Sequence, residues 1–132
     1  MATSIPRLLL VLSSASALMG TLALGGELYG VTNPLAFSET LGIPVTSADS
    51  PALPFISFAA ARNLGSGITV LTLLYAGQRN VVGTIMMCGV AVAMRDAWIC
   101  AKFGAAEGKA AGHAIMGFVA GMLGWGRYYY GA

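Results

Sequence analysis

Four ionisable side chains lie within otherwise apolar stretches of the sequence, and their types suit acid–base chemistry. Glu27, Arg62, Asp96 and His113 come from four separate apolar segments. Two carboxyl groups in unequal surroundings can divide the work, one ionised as a base and the other protonated as an acid. Such a pair can protonate an epoxide oxygen while it activates water, or an internal hydroxyl group, to attack the ring carbon. The same groups could catalyse cyclisation or double-bond isomerisation.

Arg95 and Asp96 are adjacent in "GVAVAMRDAWIC" and need separate partners. Neighbouring residues on a helix point about 100° apart, so these two cannot simply neutralise each other. We expect Asp96 to pair with Arg62, with a hydrogen bond from Asn63. Arg95 should reach Glu27 or extend toward lipid headgroups.

The predicted site therefore has two groups of residues. The catalytic residues are Asp96, Glu27, Arg62, Arg95 and His113. The substrate-binding residues are Asn63, Trp98 and Met94. We leave open which carboxyl group is the acid and which the base. A purely structural role, in which buried charges set helix register, is the alternative.

The composition favours a bilayer over water as the solvent of this chain. Of its 132 residues, 57% are hydrophobic and only 9% are charged, whereas soluble domains carry about 25% charged residues. The net charge of +2 comes without a basic run, so we predict no nucleic-acid partner.

No motif for a metal or a cofactor is present in the sequence. The chain has two cysteines, Cys88 and Cys100, and one histidine, without metal-ligand spacing. Phosphate loops, dinucleotide fingerprints and hydrolase serine elbows are absent as well. We predict no metal and no cofactor, and both thiols as small buried apolar groups.

Four apolar segments are long enough to cross a membrane, which takes about 20 residues each. They cover residues 8–29, 54–77, 81–105 and 110–130 of a single domain, 1–132. The last three are joined by short links, which require antiparallel neighbours. The prediction is an all-α integral membrane four-helix bundle. For the first segment, Arg7, the apolar run after it and Ala15-Ser16-Ala17 also fit a cleaved signal peptide.

The connection between the first two spans is long and contains helix signals. Asn33 suits an N-cap, Pro34 the first helical position, and Gly42 a stop. We predict a short interfacial helix here. It could be a lid over the site or only a linker.

Basic residues near the span ends set the orientation. Arg7, Arg79 and Arg127 fall on one side, which we predict to be cytoplasmic together with both termini, in the endoplasmic reticulum. At 1.5 Å per residue, Arg62 and Asp96 then lie about 12–14 Å from the opposite surface. The four ionisable residues should share one polar cavity that opens to that opposite side, because isolated charges at this depth are costly.

The expected partners are the lipid bilayer and a lipophilic small-molecule substrate. Gly-rich faces suit sister helices as well as a fourth span, so a homo-oligomer stays open.

Three segments carry a resemblance to a known family. They are "NPLAFSETLGIP", "AAARNLGSGITVLTLLYAGQRN" and "MRDAW". They resemble a family of small four-helix membrane proteins of fungi and bacteria with a DoxX-like appearance. The chain is also similar in size and character to the membrane hydrolases proposed for pyrone-polyene polyethers of the aurovertin and citreoviridin type.

That resemblance implies an enzyme of secondary metabolism that hydrolyses or cyclises epoxides of a lipophilic polyketide or terpenoid. Arg62, Asn63 and Asp96 are the matching polar positions, whereas Glu27 and His113 lie outside the matched stretch. The alternatives are a cyclase or isomerase that needs no epoxide, and a non-enzymatic carrier or assembly subunit.

Overall fold

The computed structural model describes residues 4–43, 45–104 and 108–131, and within them it is all-α. The helices are α1 (Ser4–Thr32), α2 (Pro34–Thr40), α3 (Leu53–Tyr75), α4 (Arg79–Phe103) and α5 (Lys109–Tyr130). The four long helices coincide with the four predicted spans to within four residues at each described end. Pro44, Glu107 and the predicted end of the third span at residue 105 lie outside the described residues.

The long helices form two tight pairs that meet loosely. Helix α1 packs along α3, and α4 packs along α5, while contacts between the two pairs are sparse. The α3–α4 turn contains Gly77 at φ +72°, a left-handed conformation that glycine adopts without strain. The fold therefore consists of two helical hairpin-like units with a gap between them.

Glycines allow the close approach within each pair. A Cβ on Gly83 would lie 2.7 Å from the carbonyl oxygen of Gly124, and one on Gly124 would lie 2.8 Å from that of Gly83. In the other pair, a Cβ on Gly67 would lie 3.2 Å from both the Gly20 oxygen and the Ala23 Cβ. Small residues at such crossings bring helix backbones into van der Waals contact.

Helix α2 lies as a cap over one end of the α1–α3 pair. Its Phe37 is 8% exposed and packs in the largest buried apolar cluster with Val45, Ile56 and Ala60. Gly30 leaves room for the Phe37 ring, because a Cβ there would lie 2.6 Å from it. The short helix and its start at Pro34 follow the prediction.

The prediction that Asn33 is the N-cap of α2 is confirmed. Asn33 occupies the N-cap position, but its side chain makes no capping hydrogen bond. It donates instead to the Thr32 hydroxyl at 3.2 Å, so the start of α2 depends on Pro34 and on the packing of Phe37.

Many large apolar side chains are exposed, and a few polar side chains are buried. Ser16, Ser38 and Arg127 are buried at 0%, 0% and 2% exposure, while Phe55 and Phe118 are 75% and 66% exposed. The accessible surface is 8176 Å² for 13.5 kDa, against about 6,500 Å² for a compact soluble monomer of that mass. Much of the apolar surface therefore faces outward.

Two of the long helices are apolar enough over their length to cross a membrane, α1 from Pro6 to Thr32 and α4 from Arg79 to Phe103. Helices α3 and α5 contain more polar residues, among them Arg62, Asn63 and His113, which lower their mean hydropathy.

Arg127 of α5 connects the two pairs at the end opposite α2. Its Nη1 donates a hydrogen bond of 3.2 Å to the Ser13 hydroxyl of α1. The nearby Gly126 contacts the same helix, since a Cβ there would lie 3.1 Å from Leu12. This contact holds the far end of the bundle closed.

The glycine crossing of α4 and α5 yields a stability prediction. Gly83→Ala should lower the free energy of unfolding by about 1–3 kcal/mol, because the added methyl group meets backbone atoms that cannot move aside. Gly89→Ala on the same helix meets nothing within 4 Å and should leave stability unchanged or raise it by about 1 kcal/mol. Thermal unfolding followed by far-ultraviolet circular dichroism measures both. Equal stability of the two variants would contradict the crossing.

Candidate functional site

A cavity of about 350 Å³ occupies the gap between the two helix pairs. We call it the interhelix cavity. All four long helices line it, with apolar side chains such as Met19, Val70 and Met86 and with glycines such as Gly89. Sparse contact between the pairs is the reason that the space is there.

A second cavity, of about 420 Å³, lies beneath α2, and we call it the α2-side cavity. Its apolar wall includes Phe37, Leu41, Ile56 and Ile99. Cys100 of α4 closes one side, because its Sγ donates a hydrogen bond of 3.3 Å to the Leu41 carbonyl oxygen. Leu41, the C-cap of α2, thereby contacts α4, and α2 covers one side of this cavity.

Five polar residues line both cavities. We call these residues, which are Glu27, Arg62, Asn63, Asp96 and His113, the polar cluster. They come from α1, α3, α4 and α5, so each long helix contributes at least one ionisable group. The structure thus brings together four of the five residues predicted as catalytic and one of the three predicted to bind substrate.

A hydrogen-bonded relay runs through one side of the polar cluster. The Nε and Nη2 of Arg62 donate to the Asn63 Oδ1 at 3.3 and 3.2 Å. The Nδ2 of Asn63 donates in turn to the Glu27 Oε1 at 3.2 Å. The second carboxyl oxygen of Glu27, Oε2, is buried and has no hydrogen-bond partner. The relay therefore orients Glu27 and leaves one of its oxygens free.

The predicted partner of Arg62 is wrong. Its guanidinium group bonds to Asn63, its neighbour in the chain, and not to Asp96. Arg62 and Asp96 do line the same cavities, from α3 and α4. The two helices contact each other only sparsely, so the gap that forms the cavity also separates this pair.

Asp96 and His113 face the relay from the other helix pair. Both are half-buried, and both line the two cavities. His113 is in the second turn of α5, which begins at Lys109. Acidic, basic and imidazole groups therefore surround a common apolar space from opposite walls.

Arg95, Trp98 and Met94 lie outside the polar cluster, on the outer side of α4. All three are exposed, and the Arg95 guanidinium carbon lies 4.0 Å from the centre of the Trp98 ring. The prediction that Arg95 reaches Glu27 is therefore wrong. The aromatic face of Trp98 stabilises the Arg95 cation at the surface of the bundle.

The apolar lining of the α2-side cavity was not predicted from the sequence. Phe37, Leu41 and Ile43 belong to the connection after α1, and the sequence placed a short helix there without deciding between a lid and a linker. Only the packing of Phe37 over Gly30 and Ala60 shows that α2 covers a cavity.

No group of three His, Cys, Asp or Glu side chains within residues 4–43, 45–104 and 108–131 is arranged to hold a metal ion. The chemical groups on hand in the polar cluster are two carboxyl groups, one guanidinium group, one amide and one imidazole. Together they can donate and accept protons and stabilise a developing negative charge inside an apolar cavity.

The fold and site define a class of small helical protein that has two helices apolar enough to cross a membrane, an apolar cavity and a central cluster of ionisable groups. The chain belongs to the family described as Domain of unknown function (DUF4267), whose model matches residues 20–127. The matched range includes the whole polar cluster. No curated protein and no solved structure matches the chain.

The interhelix cavity makes a binding prediction. Gly89 lines it, and a Cβ on Gly89 meets nothing within 4 Å, so the side chain of Gly89→Leu should project into the free space. We expect the affinity for a lipophilic fluorescent probe to fall about tenfold, or about 1.4 kcal/mol. Gly25→Leu is the matched control, since Gly25 is also free of contacts and does not line the cavity. Equal affinity in both variants would show that the probe binds elsewhere.

Proposed function

We propose that the protein is a four-span membrane enzyme that opens an epoxide in a lipophilic substrate by acid–base catalysis. The observation that carries this proposal is the position of Glu27 and Asp96 on opposite helix pairs around one apolar cavity, with Arg62 and His113 beside them. Charged groups in such surroundings are expensive unless they serve a partner or a ligand.

Exposed apolar side chains support four spans. Helices α1 and α4 are apolar enough to cross a bilayer. Helices α3 and α5 also present large apolar groups outward, including Phe58 at 73%, Ile115 at 61% and Trp125 at 62% exposure. Asn63 and His113 line the cavity and Arg127 contacts α1, which is the arrangement that a bilayer favours for such groups.

The reaction needs one carboxylate and one carboxylic acid. The ionised carboxylate removes a proton from water, and the water oxygen forms a bond to one epoxide carbon. The C–O bond of the ring breaks, and the ring oxygen takes a proton from the carboxylic acid. The product is a diol, and one proton has passed from the acid to the base. Transfer of that proton back through His113 or water restores the enzyme.

The relay has a positioning role in this proposal. Arg62 fixes Asn63, and Asn63 fixes Glu27 through Oε1. The free Oε2 of Glu27 is then the atom that exchanges a proton with water or substrate. Arg62 also stabilises the negative charge that develops on the epoxide oxygen. An internal hydroxyl group in place of water would give cyclisation by the same steps.

The substrate class follows from the apolar cavities and from the resemblance to polyether-pathway hydrolases. A polyketide or terpenoid epoxide fits both, and the reaction needs no cofactor. The basic residues Arg7, Arg79 and Arg127 support cytoplasmic termini, in the endoplasmic reticulum. The α2 end, where the acidic residues Glu39 and Asp49 are exposed, would face the lumen.

A carrier that binds the same molecule without turnover is the second candidate function. The apolar cavities favour it as much as they favour an enzyme. The paired carboxyl groups distinguish the two, because a carrier of an apolar molecule gains nothing from two acidic side chains in its binding site.

The enzyme proposal predicts the loss of turnover in two isosteric variants. Glu27→Gln and Asp96→Asn should each lower kcat for a long-chain epoxide by about 10²–10⁴-fold, because each removes a proton-transferring group. Mass spectrometry of the diol formed in isotopically labelled water measures the rate and shows one oxygen from water. Glu39→Gln and Asp49→Asn are the matched controls, since both side chains are exposed on the α2 side.

Size-exclusion chromatography establishes whether each variant is folded. Folded variants of Glu27 and Asp96 with unchanged turnover would refute the catalytic assignment. Ligand binding by the wild-type protein without any turnover would support a carrier instead.

The four-span arrangement predicts the side of the membrane on which each loop lies. A glycosylation acceptor inserted among residues 46–50, before α3, should be modified in microsomes. One inserted in the α3–α4 turn at residues 76–78 should not be. The electrophoretic shift that an endoglycosidase reverses is the measurement. Modification at both sites would contradict the crossing of α3.

A further inference from the structure

The two cavities differ in their walls but share the polar cluster. The interhelix cavity extends from the cluster between the helix pairs, toward Ser16 and Met86. The α2-side cavity extends in another direction, toward Phe37 and Leu41 beneath the cap. Glu27, Arg62, Asn63, Asp96 and His113 line both. The ionisable groups therefore lie where two apolar chambers meet, not at the blind end of one pocket.

Each chamber is large enough to hold part of a ligand by itself. Volumes of about 350 and 420 Å³ both fall in the range of small-molecule sites, about 300–1,000 Å³. Beyond the shared cluster, no charged residue is among those that line either chamber, and the Cys100 thiol of the α2-side cavity is bonded to the Leu41 carbonyl oxygen. A ligand whose polar group is at the cluster must therefore place apolar groups in both directions to fill the space.

We infer that the substrate is an elongated lipophilic molecule whose epoxide is internal, with one apolar arm in the interhelix cavity and the other in the α2-side cavity. The inference depends on the proposed function for the reacting group, but the two-armed shape depends only on the cavities. A terminal epoxide would reach the cluster from one side and leave the other chamber without apolar contact. An unfilled chamber lowers the binding free energy gained by about 25 cal/mol for every Å² of apolar surface that stays in water.

The covering helix bounds the site of the second arm on one side. Phe37 and Leu41 form part of the α2-side wall, and the Cys100 hydrogen bond to the Leu41 carbonyl oxygen joins the cap to α4. This arm is therefore bounded by α2, whereas the arm in the interhelix cavity lies in the gap between the helix pairs.

The first test compares positional isomers. Long-chain alkene oxides of one carbon number, with the ring at the centre or at the end of the chain, should differ at least tenfold in kcat/KM in favour of the central ring. The same comparison with ketones, which bind without turnover, uses displacement of a lipophilic fluorescent probe. Central ketones should displace the probe at concentrations at least tenfold lower than terminal ones.

The second test closes one chamber at a time. Gly89→Leu narrows the interhelix cavity, and Ala59→Leu narrows the α2-side cavity. Each should lower the affinity for the central ketone about tenfold, yet leave affinity for a ketone with one arm shortened close to the wild-type value. Each single variant should therefore prefer the ketone with one shortened arm to the central ketone. The double variant, in which both chambers are narrowed, should lose this preference. Gly25→Leu is the control for a leucine introduced outside both chambers.

The outcomes separate this inference from the proposed reaction. Equal binding of central and terminal ketones would overturn the two-armed substrate even if epoxides are hydrolysed. A tenfold preference for central ketones without turnover of any epoxide would support the two-armed ligand and refute the reaction. An effect of Gly89→Leu alone, with none from Ala59→Leu, would show that only the interhelix cavity is used and would also overturn the inference.

Discussion

The structure depends on how an apolar helical bundle accommodates ionisable side chains within its helices. An isolated charge in such surroundings costs at least a few kcal/mol unless it meets a partner or water. Here the side chains of Glu27, Arg62 and Asn63 form a relay between α1 and α3, while Asp96 and His113 face the same space from α4 and α5. All four long helices therefore contribute an ionisable group to one site.

The helices pack closely within each pair and loosely between the pairs. Glycines bring α4 against α5 and α1 against α3 until backbone atoms touch. Contacts between the pairs are sparse, and α2 with Phe37 covers one end of the space between them. Arg127 and Ser13 hold the opposite end together. The cavity is thus a consequence of how the pairs are built.

The shared position of the polar cluster between two apolar chambers links the fold to the proposed chemistry. A carboxyl oxygen of Glu27 is buried without a partner, in a place that both chambers reach. In the proposed reaction, water and the transferred protons react there with a substrate group whose apolar arms lie in the two chambers. Membership in the DUF4267 family covers residues 20–127 and includes every residue of this cluster.

The sequence by itself determined the helices, because apolar length, Pro34 and the glycine turns are local signals. It also indicated that Glu27, Arg62, Asp96 and His113 lie in the same half of the bundle. Tertiary structure alone decided the partners. Arg62 bonds to Asn63 rather than Asp96, and Arg95 stacks on Trp98 outside the bundle. The rotation of each helix about its axis decides which of two adjacent residues faces the cavity. That rotation follows from glycine contacts between helices distant in sequence, which no local pattern encodes.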